Sequence, residues 1–164
     1  MCIRDRLYLY RDYPAGVEIK LDLAHEPLMI NADKGRLRQL LHNLVKNAIE
    51  AIRDGHGSTL WIGAHREHAA GADCVELSIR DDGPGFPNTI LDNAFEPYVT
   101  TKPKGTGLGL AIVKKIVEEH GGWIHLESPP EGGARIVIRL PLHGQDPASL
   151  PAPTVLSTPD KEAG

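Results

Sequence analysis

The chain has 164 residues, 41% of them hydrophobic and 24% charged, with a formal net charge of −4. That is enough apolar side chain for one packed domain and too little for two, and no basic excess points to nucleic acid as a partner. With no apolar run long enough to span a bilayer and no secretory segment, the sequence reads as cytoplasmic, with no membrane contact of its own.

The opening "MCIRDR" is charged and without pattern, and "LYLYRDY" reads as the tail of a helix begun upstream, so residues 1–16 are set apart. "VEIKLDL" alternates strictly. Val17, Ile19, Leu21 and Leu23 fall on one side and Glu18, Lys20 and Asp22 on the other, which predicts a half-buried strand. "PLMINA" reads as a short second strand. Asp33 is placed as an N-cap. Behind it Leu37, Leu40, Leu41, Leu44, Val45, Ala48 and Ile52 recur at helical spacing to about Arg53, where Gly55 and Gly57 stop the helix.

"TLWIGAH" and "CVELSIR" predict a hairpin looped through "AAGAD", with Cys74 a core residue of the second strand. The turn-rich "DDGPGFP" follows. A loose region then runs to Lys104, and a helix from Gly107 to His120 ends with Gly121 at its C-cap. "WIHLE" and "RIVIRLPL" predict two further strands. Residues 143–164 are polar and Pro-rich, the composition of a disordered tail or linker. Paired strands with few helices between them argue for an α+β domain over residues 17–142. It is a two-layer α/β sandwich whose mixed sheet is covered on one face by helices.

Three stretches carry possible chemistry. In "TTKPKGTGLGLAIVKK", Gly105, Gly107 and Gly109 alternate with Thr106 and Leu108 at the start of a helix. Free N–H groups and the positive end of the helix dipole suit an anion there. The loop fits neither common phosphate motif, since no strand precedes it and no Lys-Ser/Thr follows it. A plain connecting turn explains it equally well. In "HNLVKNAIEA", Asn43 and Asn47 stand four apart on a helix, where asparagine is a poor choice. Asn47 borders the apolar arc of Leu40, Leu44 and Ala48, and Asn43 lies one step further round. Amide oxygens there could join phosphate oxygens and water around Mg²⁺. The alternative is a pair of solvated asparagines.

In "DDGPGF", Asp81 closes a strand whose Val75, Leu77 and Ile79 face inward, and alternation puts its carboxylate on their side. A core-facing carboxylate is costly unless hydrogen-bonded, and a ligand amine could be its partner. Asp82-Gly83 alone would satisfy an ordinary Asp-Gly turn. Asp81 is what that turn leaves unexplained.

In order along the chain, "NLVKNAIEA", "DDGPGF", "FEPYVTTK" and "GTGLGLAIVKKIVEEHGG" resemble the N, G1, F and G2 boxes of the ATP-binding domain of sensor histidine kinases. The wider superfamily holds DNA gyrase, the Hsp90 chaperones and MutL. The match covers roughly Val17 to Leu142 and is most similar to nitrogen-regulation sensors of the NtrY and NtrB kind. The resemblance implies a Bergerat-type fold binding ATP with Mg²⁺. Asp81 would accept from the adenine amino group, while Gly83 and Gly85 would line the base and sugar. Asn47 would hold Mg²⁺ and Asn43 would position the triphosphate. Gly105, Gly107 and Gly109, with Thr106 and Leu108, would form the hinge and phosphate-facing turn. Phe95 to Lys104, with Thr101, would be a lid, and Lys102 or Lys104 would reach the γ-phosphate. Asn43, Asn47 and Lys102 would be the catalytic set. The implied partners are histidine-bearing dimerisation helices and a response regulator, and the parent protein could be anchored in the inner membrane.

Two departures matter. True ATPases of the superfamily carry a glutamate base where this chain has Asn43, and an amide cannot take a proton at neutral pH. Many sensor kinases carry a cation where this chain has Glu50, so one phosphate contact is missing. None of the eight histidines looks like the phosphoacceptor. His25 is followed by Glu26 and Pro27 in a connecting turn, His42 reads as a solvated helix residue, and His120 ends a helix. Two other classes stay open: a stand-alone ATPase, and a nucleotide-gated interaction module of the anti-sigma type.

Overall fold

A computed structural model describes residues 1–13, 16–55, 57–69, 72–85, 95 and 109–144. In chain order the elements are α1 (Ile3–Tyr8), β1 (Glu18–Leu23), α2 (Lys34–Asp54), β2 (Thr59–Ala69), β3 (Ala72–Asp81), α3 (Gly109–Glu119), β4 (Trp123–Glu127) and β5 (Ala134–Pro141). The strands form one sheet in the order β1-β2-β3-β5-β4. β1 runs parallel to β2, and the other pairings are antiparallel. The mixed sheet expected from paired strands is therefore present.

Alternation sorts the sheet into two faces. Leu60, Ile62 and Ala64 of β2, Val75, Leu77 and Ile79 of β3, and Ile136, Ile138 and Leu140 of β5 are buried on one side. They pack with α2 and α3 in a single apolar cluster. The other face carries Trp61, stacked under the Arg80 guanidinium at 5.1 Å. Ion pairs line it too: Arg135 with Glu127 at 2.6 Å and Arg139 with Glu76 at 3.2 Å. This is the two-layer arrangement read from the sequence.

α2 forms where its capping and apolar spacing say it should. The Asp33 carboxylate accepts from the Arg36 N–H at 2.8 Å, a cap contributing roughly 1 kcal/mol. Leu37, Leu40, Leu41, Leu44, Val45, Ala48, Ile49 and Ile52 are all buried. Gly55 ends the helix, its N–H reaching the Ala51 carbonyl at 3.1 Å. α3 ends in a Schellman motif. Gly121, at φ 70°, donates to Glu118, and Gly122 donates to Val117.

The two helices are clasped at those ends. Arg36 meets both oxygens of Glu119 at 2.7 Å, and this hydrogen-bonded guanidinium holds the Glu119 carboxyl below its ordinary range. His120 Nε2 accepts from the Asp33 N–H at 3.3 Å while Nδ1 faces the Ile116 carbonyl at 2.7 Å. One neutral tautomer satisfies both. α3, which carries the glycine-rich segment at its start, is thereby tied to the N-terminus of the asparagine-bearing helix.

Three local expectations need correction. The charged start is not without pattern in space. Ile3 and Leu7 are fully buried, the Ile3 N–H donates to Leu28, and the Ile30 N–H donates to Met1. One and a half turns were too few to show this periodicity in the sequence. "PLMINA" makes no strand; only the isolated bridges Cys2–Met29 and Ile30–Leu142 form, because its neighbours there are single residues from the two ends of the fold. The hairpin loop is shorter than "AAGAD", since Ala69 and Ala72 already pair. Cys74 is buried in β3 as expected, and burial pushes its thiol pKa up.

Candidate nucleotide site

The site starts from one flank of α2. Asn43, Asn47, Glu50 and Ala51 are half-buried while residues 44, 45, 48 and 49 are buried. The asparagines thus lie along the margin of the core, as the helical spacing predicts. Glu50 lies 4.0 Å from Lys46 of the preceding turn.

The end of β3 comes up beside the last turns of that helix. Asp81 is only 5% exposed, on the inward face with Val75, Leu77 and Ile79, and in register between Leu60 and Ala134. Its Oδ1 accepts from the Gly83 N–H at 2.9 Å. The structure therefore places this carboxylate on the face that alternation assigns it. Gly83 is needed for close approach: a Cβ there would stand 2.9 Å from the Ala51 carbonyl oxygen and 3.0 Å from Asp81 Oδ1. Gly85 has φ 78°, and a Cβ there would stand 2.7 Å from the Gly133 carbonyl oxygen.

Asp82 has a different task. Its Oδ1 accepts from the Ser58 and Thr59 N–H groups at 2.9 and 3.0 Å. Burial resists its ionisation, but these backbone donors outweigh that and hold its pKa below the ordinary carboxylate value. Among the described residues Asp82 forms no hairpin turn. It fastens the end of β3 to the start of β2, and so steadies Asp81 beside it. Sequence reasoning missed this role because the tie joins residues 23 and 24 positions apart.

The Asp81–Gly85 loop thus meets α2 at Ala51 and Gly55, with Asn47 one turn and Asn43 two turns further back along the helix. Gly109 opens α3, and a Cβ there would meet none of the described residues within 4 Å. Phe95 is described as a half-buried turn residue. Thr101, Lys102, Lys104, Gly105, Thr106, Gly107 and Leu108 lie outside the described residues, as does most of the proposed lid. A hollow of about 340 Å³ lies elsewhere. Leu37, Arg38, Leu41 and His42 line its α2 side, on the flank opposite Asn43 and Asn47, so the nucleotide assignment does not rest on it.

His25 and His42 are exposed, His25 in a bend between elements. That agrees with a connecting turn and a solvated helix residue.

Residues 32–144 match the family described as histidine kinase-, DNA gyrase B- and HSP90-like ATPase. The chain belongs to that family. Among curated relatives it is 39% identical to sporulation kinase A of Bacillus subtilis over 126 residues, covering 77% of this chain and 20% of that protein. It is 43% identical to nitrogen regulation protein NtrY of Azorhizobium caulinodans, over 91% of this chain and 19% of that protein. Among solved structures, the catalytic domain of the histidine kinase ThkA in a nucleotide-free form aligns with TM-score 0.70 and 32% identity, over 90% of this chain and 93% of that one. Full-length ShkA in complex with AMPPNP aligns with TM-score 0.67 and 31% identity, over 85% of this chain and 29% of that one. The domain is of the histidine-kinase catalytic type, with the α+β fold of that group and ATP as its class of ligand. It spans about a fifth of the length of these curated relatives.

Proposed function

We propose that this domain binds Mg-ATP and donates its γ-phosphoryl group to a histidine on separate dimerisation helices, for relay to a response regulator. The observation that carries the reading is the buried Asp81 carboxylate at the end of β3, fixed by the Gly83 N–H. A buried acceptor of this kind suits the adenine amino group, and a base bound against it would point its phosphates along the Asn43–Asn47 flank.

Among the described residues no three His, Cys, Asp or Glu side chains gather as a metal site. Mg²⁺ would instead be held by the Asn47 amide oxygen together with phosphate oxygens and water, the ion's usual mode beside a nucleotide. When bound there, the ion would neutralise phosphate charge. The chain's own residues supply positioning: Asp81 orients the base, Asn43 the triphosphate, and Lys102 or Lys104 the γ-phosphate. In the transfer a phosphorus–nitrogen bond forms at the acceptor imidazole, the bond to the β–γ bridging oxygen breaks, ADP leaves, and the ring proton passes to solvent. Asn43, where a base for water would stand, favours this outcome over hydrolysis.

No helix among the described residues is long and apolar enough to cross a membrane, and the reading needs no membrane contact by this domain. The test is to mix the domain with γ-labelled ATP and the isolated histidine-bearing helix pair of a sensor kinase such as NtrY. Acid-labile label on the helix pair is the expected result. Steady ADP release without labelled acceptor would support the ATPase instead, and ATP-dependent capture of a protein without any transfer would support the interaction module.

A further inference from the structure

The turn between β4 and β5 reaches the proposed base site from a part of the chain that no sequence motif joined to it. It is held by the Gly132 N–H donating to Pro129 at 3.0 Å. Gly132 and Gly133 both have left-handed backbone, at φ 98° and 80°, a region that residues with a Cβ rarely adopt. Their surroundings differ completely. A Cβ on Gly132 would meet nothing within 4 Å among the described residues. A Cβ on Gly133 would overlap the Asp81 carbonyl oxygen and come within 3.1 Å of Asp82 Cα, while the Gly133 carbonyl itself fills the space a Cβ on Gly85 would need. Gly133 thus lies directly against the backbone from Asp81 to Gly85. On the far side Gly83 is pressed against the Ala51 carbonyl. The loop is held between the β4–β5 turn and the last turns of α2, with no room to move toward either.

We propose that Gly133 is a positioning residue for base recognition. Its bare backbone sets the depth of the Asp81–Gly85 loop and so the place of the Asp81 carboxylate relative to the α2 flank. The inference rests on Asp81 being the adenine acceptor. Any side chain at 133 lifts the loop and moves the acceptor away from the base, whereas a side chain at 132 leaves it in place.

The test compares Gly133→Ala with Gly132→Ala, since both positions have positive φ and, among the described residues, only the first meets the loop. Calorimetric titration with ATP and GTP should show Gly133→Ala weakening ATP about tenfold, the loss of one well-made buried hydrogen bond. The ATP-over-GTP preference should shrink, and Gly132→Ala should bind as the unaltered domain does. The Gly83 amide resonance should move in Gly133→Ala alone, which a general loss of stability would not produce. Should Gly133→Ala not fold, the unaltered domain still decides. ATP should shift the Gly133 and Ala134 amides together with Gly83 and Gly85, and leave Gly132 still. Equal ATP binding by the two variants, or a Gly133 amide indifferent to ATP, would overturn the proposal. Asp81→Asn separates this from the site itself: if it too leaves ATP binding unchanged, the site assignment has failed, and if it alone weakens ATP, only the positioning role has.

Discussion

β3 carries an aspartate at each end, and the two ends behave differently. At the hairpin end Asp73 accepts from Arg66 at 2.5 Å and contacts His68 Nδ1 at 2.6 Å, in the open. The Arg66 and His68 hydrogen bonds hold its carboxyl below the ordinary range. At the other end Asp81 is buried and bonded to the backbone of its own loop. The first end is the richer in formal charge pairs. Solvent screens an exposed pair and leaves it little net effect. A buried acceptor is costly unless hydrogen-bonded, and Asp81 is the acceptor that the proposed contact with the adenine amino group would use.

The comparison breaks most readily at Asp81. Asp81→Asn should weaken ATP by roughly 1–3 kcal/mol, about five- to 150-fold, because a buried acceptor becomes partly a donor. Calorimetry would read this directly, and an unchanged affinity would remove Asp81 from the site. Next in size is Asn47→Asp, which puts a charge among phosphates and metal. It should shift the Mg²⁺ concentration at which ATP binding saturates, and an identical metal titration would count against Asn47 as a ligand.

Asp82 sharpens the contrast from the side of stability. Asp82→Ala removes the acceptor for two backbone N–H groups and should cost about 1 kcal/mol in urea unfolding, exposure keeping the figure small. Because its folded-state pKa is depressed, this contribution is present above the unfolded-state value near 4 and is lost as pH falls through the lower, folded-state value. The gap between Asp82→Ala and the unaltered domain should therefore close at acid pH, and a gap that widens there would contradict the assignment. The smallest effect belongs to Asp73→Ala. It should leave ATP affinity unchanged and the melting temperature barely moved, and a marked loss of nucleotide binding would erase the distinction between the two ends.

The sequence makes these regions legible to different degrees. α2 is plain from Asp33 to Gly55 because cap, apolar spacing and stop are all local. The inward face of Asp81 follows from simple alternation, and the asparagine flank from the helical wheel. The tie from Asp82 to Ser58 and Thr59, the seat of Gly133 under the Asp81–Gly85 loop, and the burial of Ile3 and Leu7 are not local. Each joins segments far apart in the chain, and a double glycine in "EGGARI" gives no sign of what it touches. The lid from Phe95 to Lys104 was read from resemblance alone. Apart from Phe95, none of it falls within the described residues.

The proposed function requires an adenine-selective site at the end of β3. The measurement that meets it most directly is calorimetric titration of the domain with ATP in the presence of Mg²⁺, with GTP as the comparison. Saturable binding of one ATP, and distinctly weaker GTP, is the predicted result, since guanine presents a carbonyl where adenine presents the amino group that Asp81 would accept from. Equal affinity for the two, or no binding of ATP at all, would contradict it.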